Sequence, residues 1–230
     1  MKMLKTVACG ACLLVLGSAM FAQTERSVED DYLSNIQDVI ITEMANSQDY
    51  DNKQVALQYL EESVRSGKVS QEQRVALQNL AGEGIVTRVR TNGRLVNNFP
   101  DIRAKACDLL GEIGSPEAQE TLLTIAQEDS EPMVVSSAVR SLAKIGSDGN
   151  DQVVETIQFI QRKYSALNPT SSLAYEILDA YEKLAPTAPD RNSLIQSISE
   201  IASNYRFATP VRLKALNLIR SLQASNTGNN

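Results

Sequence analysis

The sequence predicts an all-α protein, a solenoid of stacked helix pairs with one short β-hairpin inserted at about residues 85–98. Three observations predict it. FPDIRAKACDLLGEIG at 99–114 is echoed 32 positions later by EPMVVSSAVRSLAKIG, which lays Pro100 on Pro132, Ile102 on Val134, Ala106 on Ala138, Leu110 on Leu142 and Gly114 on Gly146. The echo continues to Ala174 and Leu178, then to Ala215 and Ile219, and reaches back to Ala76, Leu80 and Gly84, so that the core alanines lie 30, 32, 36 and 41 residues apart. A drifting period is expected when connecting loops vary and each unit touches only its neighbours. Between these segments, apolar residues recur at intervals of three and four: Ala118, Leu122, Ile125; Val153, Ile157, Ile160, Tyr164; Leu194, Ile198, Ile201, Tyr205. That spacing puts them on one face of an amphipathic helix.

Taken in order, residues 1–22 read as a secretory signal peptide. Lys2 and Lys5 precede an apolar run from Val7 to Leu16, and the small residues Gly17, Ser18, Ala19 and Ala22 follow. Cleavage after Ala19 or after Ala22 is open. The run falls short of the roughly 20 residues that span a bilayer, so no integral membrane segment is expected once it is removed. The folded array is expected over 23–224, and SNTGNN at 225–230 as a disordered tail. Helical patterns cover Val28 to Met44 and Lys53 to Val64, ahead of the repeats. Pro116, Pro132, Pro169 and Pro210 each sit near a helix start, where the missing amide costs little, and Gly114 and Gly146 suit helix ends. About ten helices result.

PDIRAKACDLLGEIGSPEAQETLL resembles a HEAT repeat, in particular the short HEAT-like kind of the phycobilisome lyases. The pattern is carried by Asp101, Arg103, Ala106, Leu110, Gly111, Ile113 and Gly114; Val135 replaces the arginine in the next unit. The resemblance implies HEAT-like helix pairs and a scaffold that binds other proteins. It also implies a second possibility, a lyase-like protein handling a small molecule or chromophore.

The chemistry open to this chain is narrow. It contains no histidine, which removes the commonest general base, the commonest zinc ligand and every imidazole-dependent triad. GEGIVT at 82–87 follows a helix and lacks the third glycine of a dinucleotide loop, and Gly67-Lys68 has no upstream glycine for a phosphate loop. SDGND at 147–151 has neither a glycine at the loop position nor the distal bidentate glutamate that a calcium loop requires, and Asp148 or Asp151 is better explained as a helix cap. No catalytic residue, metal site or cofactor is expected. The net charge of −6 becomes −8 on loss of residues 1–22, because 22 basic residues fall to 20 while all 28 acidic ones stay. Such a chain repels phosphates, so nucleic acid and anionic lipid are poor partners. Of three cysteines only Cys107 survives cleavage, and beside Ala106 and Leu110 it reads as a small core residue.

Two surfaces remain as candidates for a protein partner in the periplasm or another extracytoplasmic space. In IVTRVRTNGRLVNNF, residues 85–99, Asn92-Gly93 is a strong hairpin signal, and the element stands where the outer helix of a repeat is expected. With the turn there, Arg88 and Arg90 share a face with Leu95 and Asn97, and Arg94 adds a third guanidinium. Two residues after each core alanine come Asp108, Arg140, Glu176 and Asn217, a column expected to align across successive repeats. Arg140 and Lys144, one turn apart, are expected to form a basic patch within it.

Overall fold

The computed structural model describes residues 28–147 and 152–227; the expected signal peptide and SDGND beyond Ser147 lie outside the described residues. The chain divides into two units, Met1–Gln37 and Asp38–Asn230. Ten helices and one two-stranded sheet are present among the described residues: α1 (Val28–Asn46), α2 (Tyr50–Ser66), α3 (Gln71–Gly82), β1 (Arg90–Thr91), β2 (Arg94–Leu95), α4 (Pro100–Ile113), α5 (Pro116–Glu128), α6 (Pro132–Ile145), α7 (Gln152–Leu167), α8 (Ser171–Leu184), α9 (Arg191–Ser203) and α10 (Thr209–Thr227). The protein is all-α, an αα-solenoid with a small hairpin. In the first unit only the start of α1 is described, and Tyr32, Leu33 and Ile36 are exposed on it. α10 runs three residues into the expected tail, and 228–230 lie outside the described residues.

The second unit is two layers of helices. α2, α4, α6, α8 and α10 pack in succession, α3, α5 and α7 form the other layer, and α9 packs on α8 and α10. Pro100, Pro116 and Pro132 each open a helix, where the missing amide would have had no partner in any case. The seam between layers is apolar: Leu60, Leu80, Leu110, Leu122, Ile125 and Leu142 are all buried to within 1%. Each such side chain stabilises the fold by about 1.5–3 kcal/mol. Cys107 is unbonded and fully buried, and burial drives its thiol pKa far up, so it behaves as the small core residue expected of it.

The stack revises the reading of its first repeat. Ala76 lies in α3, which packs on α5 and so belongs to the opposite layer from α4. The helix that precedes α4 in its own layer is α2, in which Ala56 and Leu60 take the places of Ala106 and Leu110. A buried ion pair marks the equivalence. In α4, Arg103 Nε lies 2.7 Å from the Oδ2 of Asp129, the residue that closes α5. In α2, Lys53, fourth in the helix as Arg103 is in α4, lies 2.9 Å from the carboxylate of Glu83, the residue that closes α3. Lys53 also donates to Ala45 O at 2.9 Å. In the α2–α3 and α4–α5 pairs, then, the acid that closes the second helix returns to the fourth residue of the first.

It follows that the hairpin does not replace an outer helix. It fills the connection from α3 to α4, the place taken between α5 and α6 by residues 129–131 alone. Its strands are two residues long, with Arg90 opposite Leu95 and Thr91 opposite Arg94. Asn92 and Gly93 both have positive φ, 51° and 79°, as a primed two-residue turn requires. An element this small needs outside support. The buried Asn97 supplies it, accepting from Val89 N–H at 2.9 Å and donating to Thr87 O at 2.8 Å. Below it, Arg103 Nη1 donates to Asn98 Oδ1 at 2.8 Å and to Glu83 O at 3.3 Å. The hairpin is thus pinned at its foot to the buried Arg103–Asp129 pair.

Candidate interaction surface

The column two residues beyond the core alanines is assembled in the structure over three successive helices of one layer. Arg140 of α6 reaches back to Asp108 of α4, Nη2 to Oδ1 at 2.9 Å, and forward to Glu176 of α8, Nη1 to Oε1 at 3.1 Å. Ser137 Oγ accepts a further bond from Arg140 Nη2 at 3.1 Å. These contacts arise because equivalent residues of a regular stack fall side by side, so acid, base and acid at one register position must meet. Partial burial works against the Arg140 charge, but Asp108 and Glu176 outweigh it and raise its pKa.

Lys144 is likewise paired, with Glu112 of α4. The basic patch expected from Arg140 and Lys144 is therefore absent, because each cation is neutralised by an acid on a neighbouring helix. Asn217 does not extend the column by contact with Glu176; its side chain accepts from Arg220 at 3.3 Å. The α8–α10 step is bridged instead by Lys214 and Asp179, with Lys214 Nζ 3.7 Å from the Tyr175 ring centroid. On the other side, Lys105 of α4 meets Glu61 of α2 at 2.8 Å, and its hydrogen bond holds the Glu61 carboxyl below the usual range. Next to this bridge a groove of about 400 Å³ opens between α2 and α4, lined by Glu61, Val64, Arg65, Lys105, Asp108, Leu109 and Glu112.

The ladder contributes little to stability. Its members are partly exposed, and such pairs are worth less than about 1 kcal/mol each. Arg140→Ala should accordingly lower the unfolding free energy by no more than about 1 kcal/mol, read from urea titration. A loss near 3 kcal/mol would make the ladder a structural brace.

The hairpin arginines are placed differently. Arg88, Arg90 and Arg94 are all exposed. Arg88 Nε donates to Ile85 O at 3.0 Å and Arg90 Nη1 to Gly93 O at 3.0 Å. Among the described residues no carboxylate pairs with any of the three. The register puts Arg90 across from Leu95 and Arg94 across from Thr91, so Arg94 stands on the opposite face from Arg90. A second groove, of about 270 Å³, lies at the hairpin foot between Val86–Thr87 and the helices α3 and α5. Reasoning from sequence missed both grooves and the Lys53–Glu83 pair. The motif that could have revealed the pair is YDNKQVALQYL laid on PDIRAKACDLL at an offset of 50 residues.

Residues 93–158, which hold most of the column and its packing partners, match the family model of HEAT repeats. Repeats of this family commonly mediate contacts between proteins. A search of curated proteins finds no match to the chain.

Proposed function

We propose that this protein is an exported, non-catalytic scaffold that binds another protein in the periplasm or cell envelope. The observation that carries this reading is the Asp108–Arg140–Glu176 register, which turns three separate helices into one contiguous polar face. Surfaces of this kind are what repeat stacks offer to partners. The Lys2 and Lys5 flank, the apolar run and the small residues before position 23 support export.

The test is cross-linking in the native envelope, comparing the wild type with a variant carrying Arg88→Glu, Arg90→Glu and Arg94→Glu. N-terminal sequencing of the recovered chain should begin at Met20 or Gln23. A defined partner captured by the wild type is the expected result. Its loss from the folded variant would place the contact on the hairpin, and its retention would move the contact to the α4–α6–α8 face. An unprocessed chain retained in the cytoplasm, or no captured protein at all, would end the exported-scaffold reading.

A further inference from the structure

We infer that the hairpin is a docking site for an acidic segment of a protein partner, with Arg88 and Arg90 as the contacts that select it. The inference rests on the scaffold reading and adds the chemistry of what is bound. Its first support is an imbalance of charge. Along the even-numbered layer Lys105 has Glu61, Arg140 has Asp108 and Glu176, Lys144 has Glu112 and Lys214 has Asp179, whereas Arg212 and Arg220 bond only uncharged side chains of their own helix. Arg88 and Arg90 bond only backbone carbonyls, and among the described residues no carboxylate pairs with any hairpin guanidinium, on a chain whose net charge is −6. Guanidinium groups left open in this way retain most of their donors for carboxylates, which they bind in a two-pronged geometry.

The second support is rigidity. Asn97 fixes the first arm at Thr87 and Val89, and Arg103 fixes the foot through Asn98 and Glu83. Arginines on an arm already held in place lose less freedom on binding than arginines on a loose loop. The third is the adjoining groove. Val86, 65% exposed, and Thr87 form one wall, Gln78, Asn79, Thr121 and Thr124 are uncharged, buried Ile125 lies beneath, and Glu120 is the one acid on the lining. It accepts one apolar side chain from a segment whose carboxylates lie along Arg88 and Arg90. Arg94, on the other face, is outside the contact.

The experiment is fluorescence anisotropy with a labelled dodecapeptide of Glu and Asp carrying one central Leu, titrated with the full mature chain. A lysine counterpart of the peptide and an oligothymidylate of equal length serve as comparisons. Binding of the acidic peptide should weaken as salt rises. It should weaken about tenfold or more in an Arg88→Glu, Arg90→Glu variant and stay within about twofold of wild type in Arg94→Glu. Circular dichroism establishes that both variants are folded. Equal binding by wild type and the double variant, equal loss in Arg94→Glu, tighter binding of the oligothymidylate, or no binding of the acidic peptide would each overturn the inference. If that happens while envelope cross-linking still captures a partner, the scaffold reading stands and only the hairpin site falls.

Discussion

Arg103→Ala is expected to destabilise the protein by about 3–5 kcal/mol, the range for removing one partner of a buried ion pair. Both side chains are out of reach of water, at 1% exposure for Arg103 and 0% for Asp129. The alanine variant would leave the Asp129 carboxylate in the interior with little more than the Glu131 N–H, which it now holds at 2.9 Å. It would also remove the bonds to Asn98 Oδ1 and Glu83 O by which Arg103 supports the hairpin. Domain stabilities are about 5–15 kcal/mol, so the variant should sit close to the unfolding threshold. Urea unfolding should show a lower midpoint with an unchanged slope, and amide exchange at Val89 and Val96 should quicken because the hairpin has lost its anchor. The following repeat offers a comparison within the same chain. Val135 occupies the position of Arg103 there and is fully buried, so the stack tolerates an apolar residue at this point when no acid opposes it. Arg103→Met combined with Asp129→Leu should therefore recover much of the loss. An Arg103→Ala variant within 1 kcal/mol of wild type would mean that water enters and solvates the acid.

Much of this architecture is legible in the sequence because its signals are local. The prolines at 100, 116 and 132 restrict their own φ and carry no amide, and each is found opening a helix. Asn92-Gly93 specifies its turn through two residues that tolerate positive φ. The Asp108–Arg140–Glu176 column is readable for a different reason, since alignment of the core alanines already places the three residues at one register position. The first repeat is not readable in the same way. The hairpin stretches the interval between Ala56 and Ala106 to 50 residues, and Ala76 falls between them with a plausible apolar pattern of its own. Apolar spacing reports that a helix has a buried face, not which layer that face belongs to. Nor does helical spacing disclose that Arg140 and Lys144 are neutralised, because their acids stand on other helices, 32 and 36 residues away for Arg140 and 32 for Lys144.

Gly111→Leu should be at least as damaging, with a loss of about 4 kcal/mol or more from overpacking a close helix contact. A Cβ on Gly111 would fall 2.5 Å from Ser141 Cβ and Oγ and 2.9 Å from Ser141 Cα. The last of these is backbone, so no rotamer change relieves it, and α4 must move away from α6. Even Gly111→Ala should destabilise, by about 1–3 kcal/mol. The sign is informative, because the same change on an open helix face would stabilise by about 1 kcal/mol. Pairing Gly111→Ala with Ser141→Gly removes the opposing Cβ and should return part of the loss, giving a coupling energy that two unrelated sites would lack. The cost of the second change is the Ser141 Oγ bond to Cys107 O, now 2.9 Å, so recovery should be incomplete. An Ala variant more stable than wild type would show that the two helices part without penalty. The contact also governs the surface above it. Gly111 is one turn from Asp108, and the reach from Arg140 to Asp108 depends on how closely α4 and α6 approach. Forcing them apart should lengthen the Arg140–Asp108 contact at the same point where it weakens the core, so Gly111→Ala is expected to lose both, whereas Arg140→Ala removes the contact with little loss of stability.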